Sequence, residues 1–131
     1  MVQALLMENG LPYEDIGVHI EHFVLVWMNG ALIASAGVEL LGTCGLLRSV
    51  CVTRNWRNRG LAVELCRRVE TYARNAGVSR LYLLTTTAKD YFERLGYSVC
   101  LRESLPTEVK GTAEFRALCP ASAVCMVQCL S

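Results

Sequence analysis

The order of elements between residues 46 and 76 constrains this chain most. An apolar run, Leu46-Leu47-Arg48-Ser49-Val50-Cys51-Val52, is followed by a short basic loop, Thr53-Arg54-Asn55-Trp56-Arg57-Asn58-Arg59. Gly60 comes next, then a long amphipathic stretch that ends at Gly77. The sequence therefore reads strand, basic loop, glycine, helix. The first backbone N–H groups of a helix have no partner inside it, and the macrodipole adds partial positive charge at the same end. A glycine there lets a ligand approach the backbone closely. Arg54, Arg57 and Arg59 add full charges around one point. The physical reading is a cradle for phosphate, and a pyrophosphate fits it well.

The rest of the chain supplies one domain around that segment. Residues 2–9 read as a short helix stopped by Gly10-Leu11-Pro12, and residues 13–22 as a polar connection. Residues 23–28 are strongly apolar and predict a strand. Asn29-Gly30 is a hairpin signal, and residues 31–41 predict the return strand. A turn at Gly42-Thr43-Cys44-Gly45 leads into the strand at 46–52, completing an antiparallel meander. In the helix predicted from 60 to about 76, Leu61, Leu65, Val69, Tyr72 and Ala76 form the apolar stripe. Arg67, Arg68, Glu70 and Arg74 face outward. Residues 80–85 predict a short buried strand. A strand, a crossover helix and a strand make a parallel unit, so 81–84 is expected beside 46–52. A second helix is predicted at 88–95, a strand at 97–102, partial helix at 106–116 and a last strand at 123–129.

Composition excludes several classes. At 131 residues the chain holds one core. No apolar run reaches the roughly 18 residues of a membrane span. The first residues carry no basic segment of a secretory leader. The net charge is +1, so no global field favours nucleic acid or an anionic membrane. The expectation is a cytoplasmic protein. Seven cysteines stand at 44, 51, 66, 100, 119, 125 and 129, an odd number without a C-x-x-C pair. With only His19 and His22 beside them, no zinc pattern emerges and no metal is expected. Most of the cysteines fall in apolar runs and read as reduced core thiols. Cys119, Cys125 and Cys129 could instead bind a soft metal or an arsenical.

Two motifs carry a resemblance. Arg57-Asn58-Arg59-Gly60-Leu61-Ala62 fits Gln/Arg-x-x-Gly-x-Gly/Ala, and Ala88-Lys89-Asp90-Tyr91-Phe92-Glu93-Arg94-Leu95-Gly96-Tyr97 resembles Ala-x-x-Phe-Tyr-x-x-x-Gly-Phe. Together, in this order, they resemble the Gcn5-related N-acetyltransferase (GNAT) family over roughly residues 23–129. The resemblance implies an α/β (α+β) GNAT fold: a mixed, mostly antiparallel sheet around a central strand–loop–helix site for acetyl-CoA as co-substrate. Residues 83–88, 91–97, Leu105-Pro106 and 122–126 look like the amino-acid N-acetyltransferase branch, and the run 112–124 looks closer still to small arsenic-resistance N-acetyltransferases. Family members begin with a further strand and helix. Against that pattern, the expectation is that this chain starts after the first strand. Either the start lies upstream, or an exposed sheet edge is covered by a partner, which makes a homodimer the expectation.

What the resemblance implies about residues is specific. Val50, Cys51, Val52, Arg57, Asn58, Arg59, Gly60, Leu61 and Ala62 would bind the cofactor. A backbone N–H near residues 50–52 would donate to the thioester carbonyl oxygen. Many members carry a tyrosine at the position of Phe92 that protonates the leaving thiolate. Here the tyrosine is Tyr91, about a hundred degrees away around the helix.

The remaining candidates come from the residues themselves. Glu39 stands in an apolar strand, where a carboxylate is unexpected. It is a general base or an amine ligand, or else it faces solvent. Arg48 is the matching charge on the next strand. It binds a substrate carboxylate or forms a salt bridge to Glu39. Arg116 is a second carboxylate candidate, with a solvated helix face as the alternative. Thr86 lies in a threonine run that caps the next helix or lines the acceptor pocket. Tyr82 and Tyr97 read as core aromatics, Trp56 as packing beneath the loop, and His19 and His22 as surface residues. The expected activity is acetyl transfer from acetyl-CoA to the amine of a small amino acid or glutamate-like analogue. A protein or peptide acetyltransferase, or a non-catalytic acyl-CoA or arsenical binder, are the competing classes.

Overall fold

The computed structural model describes residues 23–28, 30–57, 60–112, 115–116 and 123–130. The short helix expected at 2–9 and the connection after it lie outside these residues, as do Asn29, Asn58, Arg59 and Cys119. The described residues form six strands and three α-helices. They are β1 (Phe23–Met28), β2 (Ala31–Leu41), β3 (Cys44–Val52), α1 (Leu61–Asn75), β4 (Arg80–Thr85), α2 (Lys89–Arg94), β5 (Ser98–Cys100), α3 (Thr107–Lys110) and β6 (Val124–Cys129). The strands hydrogen-bond in the order β1-β2-β3-β4-β6-β5. Only β3 and β4 run parallel, as a crossover through α1 requires.

Packing divides the chain into two units, one of residues 1–39 with 47–72 and one of 40–46 with 73–131. In the first, β1 and β2 form the expected hairpin with Phe23 opposite Gly37 and Met28 opposite Ala31. Gly30 takes φ +81°, the left-handed conformation a tight hairpin turn demands. Residues 32–39 of β2 are buried without interruption, so both faces of that strand are covered. A Cβ built on Gly37 would stand 2.6 Å from the Phe23 ring. The ring thus occupies the volume that a side chain at 37 would need.

Helix α1 corrects the expected stripe. Tyr72 is 44% exposed and Ala76 is exposed, while Leu65, Cys66, Val69, Glu70 and Ala73 are buried. The buried face is turned by about one residue, so Cys66 and Glu70 replace Tyr72 and Ala76. Glu70 is only 4% exposed and accepts a hydrogen bond from Arg67 Nη1 at 2.9 Å. The i, i+3 spacing allows that bond, and it offsets part of the cost of burying the carboxylate.

In the second unit, β4 pairs with β6 along its whole length, Arg80 with Cys129 through Thr85 with Val124, and β5 pairs with the other edge of β6. Cys44, Leu46, Tyr82, Leu105, Val109 and Cys125 form one apolar cluster. Residues 98–100 alone form β5; Arg102 has already entered a 3-10 turn. Its guanidinium donates to Ala123 O at 2.9 Å and lies 5.0 Å over the Phe115 ring, which removes it from the expected strand.

Burial acts on the thiols. Cys66 is pushed up to about 12 from an ordinary 9.0, first by burial, then by the Glu70 carboxylate, with Arg67 opposing. Cys44, Cys100 and Cys125 are raised as well, burial again being the main cause. A thiol that is harder to ionise when folded stabilises the native state fully below its unfolded pKa. That contribution is lost as pH rises from about 9 toward 12. Urea unfolding should therefore show a midpoint that falls above pH 9. Cys66→Ala should be less stable at pH 8 but decline less steeply. An equal slope in the variant would count against this assignment.

Candidate active site

The first unit carries the predicted loop. Strand β3 ends at Val52, and Thr53 N–H donates to Ile33 O at 2.8 Å, holding the exit from the strand against β2. A single 3-10 turn, Arg54–Trp56, follows. Arg57 Nε then donates to Val52 O at 3.0 Å, so the loop is fastened back to the strand end. Gly60 takes φ +79° with open space where a Cβ would stand, and its carbonyl accepts from Glu64 N–H as the first helical bond. Gly60 is thus required for its backbone conformation and not for a close neighbour. The opening N–H groups of α1 follow at Leu61 and Ala62. Helix, left-handed glycine and the exposed Arg54 and Arg57 fit a polyanion such as the pyrophosphate of a coenzyme. Arg59 and Asn58 lie outside the described residues.

Strand β3 is not regular. Ser49 has φ +60°, the only non-glycine residue with positive φ among those described. Such a conformation costs an L-residue about 1–2 kcal/mol, so its neighbours must hold it. They do. Ser35 Oγ donates to Ser49 O at 2.8 Å, and Arg48 Nε donates to Ser49 Oγ at 3.1 Å. Val50 to Val52 follow, the stretch near which the resemblance puts the carbonyl-oxygen donor. The parallel register of β3 with β4 covers only Cys44 to Leu46, so residues 47–52 run beyond it.

Glu39 and Arg48 come together. Arg48 Nη1 stands 3.9 Å from Glu39 Oε2, and the two residues are 2% and 4% exposed. The solvent-facing reading of Glu39 is corrected: both faces of β2 are covered at that point. The salt-bridge reading of Arg48 is the arrangement present. Removing one member of such a buried pair strands the other charge, at a cost of roughly 3–5 kcal/mol. Val50 is half-buried, while Cys51 and Val52 are buried. A groove of about 350 Å³ also lies in this unit, between β1 and the first turns of α1, lined by Val24, Trp27, Leu61, Glu64, Leu65 and Arg68. Leu61 is the only predicted site residue on it.

The second unit carries the other candidates. Thr85 Oγ1 accepts from Ala88 N–H at 3.0 Å, which ties the residue before α2 back to the end of β4, but no side chain caps the helix itself. Thr86 is exposed. Phe92 is buried, edge-on to Tyr97 with ring centroids 5.8 Å apart and edge-on to Tyr91 at 5.5 Å. Tyr91 is half-buried, and its place one residue along the helix separates it from the inward position Phe92 fills. Arg116 is exposed. Among the described residues no three His, Cys, Asp or Glu side chains stand close enough to hold a metal, and no helix is long and apolar enough to cross a membrane.

Two residues of the site escaped the sequence. Ser35 had the same signal as Glu39, a polar residue inside an apolar strand. Ser49 had none, because nothing in Arg48-Ser49-Val50 marks a left-handed residue.

Strand, kink, anchored loop and glycine-opened helix together make a backbone site for a polyanion. The profile of the acetyltransferase (GNAT) family matches residues 6–97, and the chain belongs to that family. The amino-acid acetyltransferase of Ectopseudomonas mendocina is 33% identical over 114 residues, covering 77% of this chain and 26% of the relative. That of Pseudomonas putida is 34% identical with the same coverage, so the chain spans about a quarter of these relatives. N-acetylglutamate synthase from Neisseria gonorrhoeae, complexed with coenzyme A and N-acetyl-glutamate, superposes with TM-score 0.83 at 22% identity, over 99% of this chain and 32% of that one. Rv2747 from Mycobacterium tuberculosis, in complex with CoA and NLQ, gives 0.82 at 18% identity, over 99% and 92%. These likenesses bear out the mixed, mostly antiparallel fold.

Replacing Gly60 with valine tests the loop. A branched residue at φ +79° is strained whatever the space around it. Gly60→Val should weaken coenzyme A binding by tenfold or more, on the order of 1.4 kcal/mol, measured by titration calorimetry. Binding equal to wild type would remove the helix N-terminus from the site.

Proposed function

We propose that this chain transfers the acetyl group of acetyl-CoA to the amine of a small amino acid or glutamate-like analogue, by direct attack. The observation that carries the reading is the first unit: a kinked strand leads through an anchored basic loop into a glycine-opened helix, with a buried carboxylate on the neighbouring strand. The names of the amino-acid acetyltransferase relatives support the acceptor class.

The residues divide the work. The opening N–H groups of α1 at Leu61 and Ala62, with Gly60, Arg57, Asn58 and Arg59, hold the pyrophosphate. The backbone of Val50, Cys51 and Val52 lies along the thioester arm, and Val50 N–H donates to the carbonyl oxygen as charge develops there. Glu39 takes the ammonium proton, directly or through water, so that the amine attacks as a neutral group. Arg48 stands beside the Glu39 carboxylate and orients it. The N–C bond forms as the C–S bond breaks, and the departing thiolate takes a proton from water. Thr86 and Arg116 are exposed on the second unit, where an arginine fork suits a carboxylate. No cysteine nucleophile is needed. The raised thiols at 44, 66, 100 and 125 are poor ones in any case.

Purified protein given acetyl-CoA and a panel of free amino acids, glutamate included, should release coenzyme A thiol. Glu39→Gln keeps the shape and removes the base. Its kcat should fall roughly a hundredfold while acetyl-CoA affinity stays near wild type. Tight acetyl-CoA binding without turnover on any amine would replace the enzyme with a binding protein of the same fold. Full activity in Glu39→Gln would move the base elsewhere.

A further inference from the structure

Ser35 lies in the middle of β2 and is 0% exposed. Its hydroxyl has one proton, and that proton is given to Ser49 O at 2.8 Å. Cys51 Sγ stands 3.5 Å from the same oxygen. With the hydroxyl proton already used, the thiol is the donor in that contact. One buried hydroxyl therefore grips β3 on both sides of Val50.

The geometry of the peptide group gives this a consequence. The carbonyl of Ser49 and the N–H of Val50 belong to the same planar trans peptide. In a trans peptide the two point in opposite directions. Fixing the carbonyl on Ser35 therefore fixes the Val50 N–H to point away from β2. The left-handed Ser49 before it would otherwise leave that plane free to rotate toward an ordinary strand conformation. A hydrogen bond accepted by the carbonyl also polarises the amide and strengthens its N–H as a donor.

We propose that Ser35 is a positioning residue for acetyl transfer: its hydroxyl aims and strengthens the Val50 N–H that meets the thioester carbonyl oxygen. The inference rests on the acetyl-transfer reading of β3 given above. Ser35 itself touches neither substrate. Its influence is transmitted through one peptide plane, so it acts on the rate of transfer and not on the affinity for coenzyme A.

The test is the infrared carbonyl stretch of acetyl-CoA, carbon-13 labelled at the acetyl carbonyl, bound to wild type and to Ser35→Ala. A donor at the carbonyl oxygen lowers that frequency relative to free acetyl-CoA. The expected result is a lowered frequency in wild type that moves back toward the free value in Ser35→Ala. The kcat should fall roughly tenfold, less than the loss on deleting a donor outright, with KM for acetyl-CoA about unchanged. A variant with a lower melting temperature but the wild-type carbonyl frequency and kcat would overturn the proposal, because Ser35 would then only join two strands. A wild-type frequency equal to that of free acetyl-CoA would overturn the donor reading beneath it, and the two failures are distinguishable. Should Ser35→Ala not fold, Ser35→Cys keeps a weaker donor of similar size. It should give an intermediate frequency, and an unshifted one would overturn the proposal.

Discussion

A strand covered on both faces cannot carry a polar side chain without giving it a partner. That constraint governs β2, where residues 32–39 are buried in succession and two of them, Ser35 and Glu39, are polar. Each finds its partner on β3. Glu39 meets Arg48, and Ser35 meets Ser49 and Cys51. Arg48 closes the set by donating to the Ser49 hydroxyl. The penalty for an unpaired buried group is large enough that these contacts specify how the two strands are joined. The same contacts hold the one non-glycine residue with positive φ among those described.

Much of this was legible in the sequence, for identifiable reasons. The limits of β1, β2 and β4 follow from apolar runs bounded by turn residues, and they fall where expected. The parallel pairing of β3 with β4 follows from the crossover helix between them. Glu39 and Arg48 stood out because a charge in an apolar strand demands an explanation. The kink at Ser49 was invisible because it is stabilised by residues 14 positions away, and local propensity does not encode that. The misjudged face of α1 has a different cause. Tyr72 and Ala76 have the right spacing for a buried stripe, but so do Cys66 and Glu70 one residue out of phase. Hydrophobicity favoured the tyrosine over the glutamate. Arg67 at i−3 reversed that order by giving the carboxylate a partner.

The site separates binding from chemistry along the chain. Arg54, Arg57 and Gly60 are exposed, two of them positively charged, and Arg57 fixes the loop to the sheet, which gives it the character of a surface for phosphate. The polar groups on β2 and β3 are the reverse: sealed, mutually bonded and few. An environment of that kind keeps donors and acceptors in fixed directions, so little reorganisation is needed when charge develops beside it. Cys44, Cys66 and Cys125 are buried as well. Protonated by burial, they behave as apolar filling and leave the reacting groups to the backbone and the carboxylate.

The Phe23 ring over Gly37 has an evolutionary consequence. The ring occupies the place of a Cβ at 37, so neither position is free to change alone. A larger residue at 37 drives into the ring, and a smaller residue at 23 leaves a void above the glycine. The two positions form a single unit of inheritance, and descendants of this chain should exchange them as a pair: an aromatic with a glycine, or a small side chain with a larger one.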